Sequence, residues 1–127
     1  MITSNETITT LSSNLFIHTI NYQKILDIAN GNRAFIRQYN DLARKLFTSL
    51  PKDYAEALRA YDSEKLRKLA HNSRATIELL EIKALGVEIE NGKILLKNKA
   101  NESVLNISIN EVKIICDQML SFFADKF

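Results

Sequence analysis

Val87-Glu88-Ile89-Glu90-Asn91-Gly92-Lys93-Ile94-Leu95 is the stretch on which the fold class turns. Apolar Val87 and Ile89 alternate with Glu88 and Glu90, and Asn-Gly follows, the dipeptide best suited to a two-residue hairpin turn. Local sequence alone therefore predicts a small β-hairpin near residues 87–96. A lone two-stranded hairpin is marginal in water, although it can pack on helices. Two outcomes stand: an all-α chain, or a helical chain with one small β element.

The rest of the chain reads as helix. Leu66, Leu69, Ala70, Ser73, Ile77 and Leu80 share one arc of a helical wheel drawn at about 100° per residue. Asp62 suits the N-cap of that helix, Glu64 complements the dipole in its first turn, and the helix should run to about Ile82. Upstream, Tyr22 to Ala29 predicts a short helix stopped by Asn30-Gly31. Asn32 then caps a long helix marked by Phe35, Ile36, Tyr39, Leu42, Ala43, Leu46 and Phe47. Ser49-Leu50-Pro51 predicts a break and a restart, since proline suits a first helical turn. Tyr54, Ala57, Leu58 and Tyr61 carry the segment after it, and Tyr39, Tyr54 and Tyr61 read as packing residues.

Near the C-terminus, Ser108-Ile109-Asn110-Glu111 fits a capping box. Ile109, Val112, Ile115, Cys116, Met119, Leu120 and Phe123 then form an apolar face. Residues 1–13, rich in Thr, Ser and Asn, predict a loose tail. Residues 14–127 form one helical domain, on which Leu15-Phe16-Ile17 can dock. The expected fold is an all-α, up-and-down four-helix bundle with a short N-terminal helix.

Composition narrows the function. Seventeen basic and 15 acidic residues leave a net charge of +2, too balanced for bulk nucleic-acid binding, so any basic patch is local. The single Cys116 forms no intramolecular disulfide and reads as a buried thiol, and no Cys–His cluster has zinc spacing. No secretory leader or membrane-length apolar run stands out, so a cytoplasmic, reduced setting without membrane attachment is expected.

His71 is the residue that carries chemistry. It points roughly 140° away from Leu66 on the wheel, clear of the core. Arg67 (i−4), Lys68 (i−3) and Arg74 (i+3) are its helical neighbours, and Ala75 (i+4) adds almost no bulk. An open imidazole with cations around it suits a group that carries a phosphoryl and is reached by a partner. The plainer alternative is a solvated surface histidine. His18, among Phe16, Ile17 and Ile20, reads as structural.

The order of these signals resembles the histidine-containing phosphotransfer domains of two-component phosphorelays. Ile20-Asn21-Tyr22-Gln23-Lys24-Ile25-Leu26, then Asn30-Gly31-Asn32-Arg33-Ala34-Phe35-Ile36, is similar to that family's short helix, break and aromatic-aliphatic start of a long helix. Ala57 through His71 is similar to the second half of the helical hairpin, with an acidic turn ahead of Ala-His. The likeness runs from about residue 20 to 82. The family pattern is His-x-x-Lys-Gly with a Leu-Gly at the far end of the same helix. Here Arg74 stands for Lys, Ala75 for Gly, and Leu80-Glu81 for Leu-Gly.

The resemblance implies a phosphocarrier that is not itself an enzyme. His71 would accept a phosphoryl group from a receiver-domain aspartate and pass it on, stabilised by Arg74, Arg67 and Lys68. Ala75 and Glu78 would border the partner's approach, Glu78 also being placed to pair with Arg74 at i,i+4. The partner, a receiver domain or a hybrid sensor histidine kinase, would bring the metal and the catalytic groups. The chain would need no cofactor or metal of its own and would act as a monomer. Two alternatives stand beside this: a degenerate module that docks a receiver or kinase without being phosphorylated, and an unrelated helical adaptor.

Overall fold

The computed structural model describes residues 21–124 and 126. The expected tail, Leu15-Phe16-Ile17 and His18 lie outside these residues. The described chain forms α1 (Tyr22–Ala29), α2 (Arg33–Arg59), α3 (Ser63–Leu80), α4 (Lys83–Lys97) and α5 (Glu102–Ala124), with no strand. Helices α2 to α5 run up and down in a ring, each packed on its two neighbours, and the α2–α5 contact closes it. Phe47, Leu58, Leu66, Leu80, Leu85, Leu105, Val112 and Phe123 fill the centre without solvent exposure or nearly so. Helix α1 packs on α2 and α3, burying Ile25 and Ala29.

The expected hairpin is a helix, because residues 83–97 carry a second pattern that outweighs the alternation. Leu85, Ile89, Gly92 and Leu96 are all buried and recur every three or four residues, whereas Val87 is 69% exposed. Gly92 makes no turn. A Cβ there would stand 2.2 Å from the Tyr54 hydroxyl, so the missing side chain is the space that the tyrosine occupies. The Tyr54 hydroxyl lies 3.0 Å from the Glu88 carbonyl, to which it donates, and 2.7 Å from Ser108 Oγ. Ser108 donates to the Glu88 carboxylate at 2.6 Å, and Asn91 Nδ2 donates to the same oxygen at 2.9 Å. This polar chain ties α2, α4 and α5 together.

Two expected helix boundaries are helix interiors. Pro51 sits within the unbroken α2. Proline gives no amide to the Phe47 carbonyl and costs a helix about 3 kcal/mol. Phe47, Leu50, Tyr54 and Leu58 are fully buried on one face, each contributing about 1.5–3 kcal/mol, which offsets that cost. Ser108 likewise caps nothing: it is buried inside α5, six residues beyond the start at Glu102. Asn101 does the capping, accepting from the Val104 amide at 3.1 Å. The Asn32 and Asp62 caps form as expected, accepting from the Phe35 and Lys65 amides at 3.0 Å each.

The three turns of the ring share one design. Tyr61, Glu81 and Lys99 each take a left-handed conformation, with φ of 51°, 58° and 52°. In each, the next amide reaches back five residues: Asp62 to Ala57, Ile82 to Ile77, Ala100 to Leu95. This is the Schellman ending, in which glycine is the usual left-handed residue. Tyr61 is therefore a turn residue, 45% exposed, and not the core residue its spacing suggested. At the far end of α5, the Arg44 guanidinium gathers the Phe123 and Lys126 carbonyls. Phe47, Phe122, Phe123 and Tyr22 cluster beside it.

Candidate functional site

Helix α3 decides where the predicted site residues stand. Leu66, Ser73, Ile77 and Leu80 turn one face into the core. The buried Ser73 hydroxyl spends its proton on the Leu69 carbonyl, 2.9 Å away, so a polar residue fits the buried stripe. With that face fixed, His71 falls midway along the helix on the outer side and is exposed, as are Arg67, Lys68, Arg74, Ala75 and Glu78. All six predicted site residues thus share one solvated surface. Among the described residues His71 has no hydrogen-bond partner, which leaves both ring nitrogens open to solvent.

The cations around it are differently occupied. Arg67 pairs with Glu64 one turn back, and the bond holds the Glu64 carboxyl below its ordinary range. Arg74 approaches Glu78 at 3.9 Å, the i,i+4 pair that the sequence suggests. Both pairs are well exposed, so each is weak and yields to a stronger anion. Lys68 makes no ion pair among the described residues. A phosphoryl group on His71 would find Lys68 ready and two guanidiniums held only by exposed carboxylates.

One part of this surface was hidden in the sequence. A groove of about 210 Å³ runs between α3 and α4 beside Arg74 and Glu78. Ala70 and Ile77 line it from α3, Gly86 and Ile89 from α4. It exists because α4 is a helix with a glycine facing Ile77, which the hairpin reading could not anticipate. The signal in the sequence was two small residues, Ala70 and Gly86, that both line it.

The expected Leu-Gly position also becomes intelligible. Glu81, the C-cap of α3, takes the left-handed backbone that glycine favours, at a cost of about 1 kcal/mol. Its carboxylate is held by Lys24 Nζ at 2.7 Å and Asn21 Nδ2 at 3.0 Å, both from the start of α1. The Asn21 amide also donates to the Leu80 carbonyl at 2.9 Å. The end of the histidine-bearing helix is thus fastened to α1.

Elsewhere, the Cys116 thiol is buried, and desolvation pushes it up to about 12, which fits a structural role. Among the described residues no three His, Cys, Asp or Glu side chains gather to hold a metal, and no helix is long and apolar enough to cross a membrane. Comparison with protein-family models, curated proteins and solved structures finds no match to this chain.

Proposed function

We propose that this chain is a phosphocarrier of a two-component phosphorelay, with His71 as the phosphoacceptor. The observation that supports the reading is the surface at the middle of α3. A histidine with both nitrogens open lies among Arg67, Lys68 and Arg74, with only Ala75 one turn on. In the reaction, a ring nitrogen lone pair attacks the phosphorus of an aspartyl phosphate on a receiver domain. The N–P bond forms as the O–P bond breaks, and the aspartate carboxylate leaves with the electron pair. Lys68, Arg74 and Arg67 then balance the phosphoryl charge. The reverse step delivers the group to a second receiver or returns it to a hybrid sensor kinase. Catalytic groups and metal belong to the partner, and the carrier acts as a cytoplasmic monomer without a cofactor.

A second reading, a module that docks a receiver or kinase without being phosphorylated, draws on the Arg67–Glu64 and Arg74–Glu78 pairs, which already engage two of the three cations. Incubation with phosphorylated receiver domains or a hybrid sensor kinase separates the two. The carrier gains an acid-labile, alkali-stable phosphoryl that is absent from His71→Gln with unchanged helicity. Binding without label supports the docking module. Neither label nor binding across a panel of receivers ends both readings.

A further inference from the structure

On the far side of the ring from α3, the groove between α2 and α5 has its own character. It encloses about 390 Å³ over a floor that includes Phe47, Ala55, Ile109 and Leu120. Lys52 and Arg59 stand on its α2 wall, and the ion-paired Lys113 and Asp117 on its α5 wall. Lys45 continues the α2 row, so that Lys45, Lys52 and Arg59 recur every seven residues, about 10.5 Å apart along the helix. All three are exposed, and none makes a salt bridge among the described residues.

The nearby carboxylates are bonded to other cations, though Glu56 also feels Lys52. Glu56 is taken by Lys65 at 2.8 Å, Asp41 by Arg44 at 2.8 Å, and Asp117 by Lys113 at 2.9 Å. Positive charge at heptad spacing along an apolar two-helix groove is the complement of one kind of object. An amphipathic helix with apolar residues along its seam repeats its flanking positions every seven residues. Acidic residues at those positions would meet the row in register. A nucleic-acid strand fits less well, because such grooves offer exposed rings for base stacking. Here, among the described residues, the one ring lining the groove, Phe47, is fully buried.

We propose that the α2–α5 groove docks an acidic amphipathic helix of a partner protein, with Lys45, Lys52 and Arg59 setting its register. The groove shares no residue with the His71 surface, so this docking stands independently of phosphotransfer.

The probe is a synthetic three-heptad peptide with leucines at its seam and glutamates at the flanking positions, followed by fluorescence anisotropy with the full chain. Saturable binding is expected, falling about tenfold or more in Lys52→Glu/Arg59→Glu. A matching peptide with lysines in place of the glutamates should restore it in that variant. Circular dichroism of the variant, unchanged from the parent, separates lost docking from lost fold. Three results would overturn the proposal: no saturable binding, equal binding by the charge-reversed variant, or tighter binding of single-stranded or duplex DNA than of the peptide at the same salt.

Discussion

A methyl group at position 92 would stand 2.2 Å from the Tyr54 hydroxyl oxygen and 2.9 Å from the ring carbon that bears it. Gly92→Ala gains about 1 kcal/mol of helix propensity. It must also expel that hydroxyl from its bond to the Glu88 carbonyl and its contact with Ser108 Oγ. The expected net result is a loss of about 2–4 kcal/mol in chemical denaturation. In a Tyr54→Phe background the alanine should cost less, because the closest atom is gone; an equal penalty in both backgrounds would remove the clash as its cause. This glycine was illegible in the sequence because its meaning depends on a tyrosine on another helix. His71 was legible because its exposure follows from the apolar residues of its own helix. Glu81 lies between these cases. Its place at the end of the helix is plain in the sequence, but the grip of Lys24 and Asn21 on it is not.

Among the elements, α2 shows how far packing overrides local grammar. Pro51 marks a boundary by every short-range rule, yet the buried face from Phe47 to Leu58 carries the helix through it. Pro51→Ala should therefore stabilise the protein by about 1–2 kcal/mol. The helix regains an amide donor and propensity, less about 1 kcal/mol from a more flexible unfolded chain. Thermal denaturation measures the difference, and an unchanged midpoint would mean that the helix has already absorbed the missing bond. The capping-box reading at Ser108 failed for the same kind of reason. Ser and Glu three residues apart specify a helix start only if the chain before them is not helical, and Asn101 had already begun α5. The long apolar repeats, by contrast, were read correctly on α3 and α5, and on α2 except at Leu42, which is 64% exposed. Where α4 replaced an apolar residue by Gly92, the repeat was broken in the text and intact in space.

At the scale of the whole molecule, the ring buries three groups that resist losing their protons. Desolvation pushes the Tyr54 and Tyr39 phenols from 10.0 up to about 12, and the Cys116 thiol from 9.0 up to about 12. The folded chain holds these protons where the unfolded chain has released them. Their contribution is therefore complete below pH 9 and is lost as pH rises from about 9 to 12. Stability, read from denaturation midpoints, should fall across that window, by less than about 1.4 kcal/mol per pH unit for each group and least for the partly buried Tyr39. Tyr54→Phe should flatten the upper part of the fall, and an unchanged pH profile in that variant would exclude the phenol as its source.

At the opposite end of the scale, α1 is attached through a carboxylate. The hydrogen bond from Lys24, then that from Asn21, holds the Glu81 carboxyl below 4.5. This clasp is present above pH 4.5 and is lost as pH falls through the lowered value. The ring does not depend on it. Acid below that lowered value should therefore loosen α1, still docked through the buried Ile25 and Ala29, while α2 to α5 remain assembled, and deuterium uptake at the α1 amides should accelerate before any change in α5. The helix that carries His71 would then keep its place in the bundle while the segment anchored to its end begins to breathe.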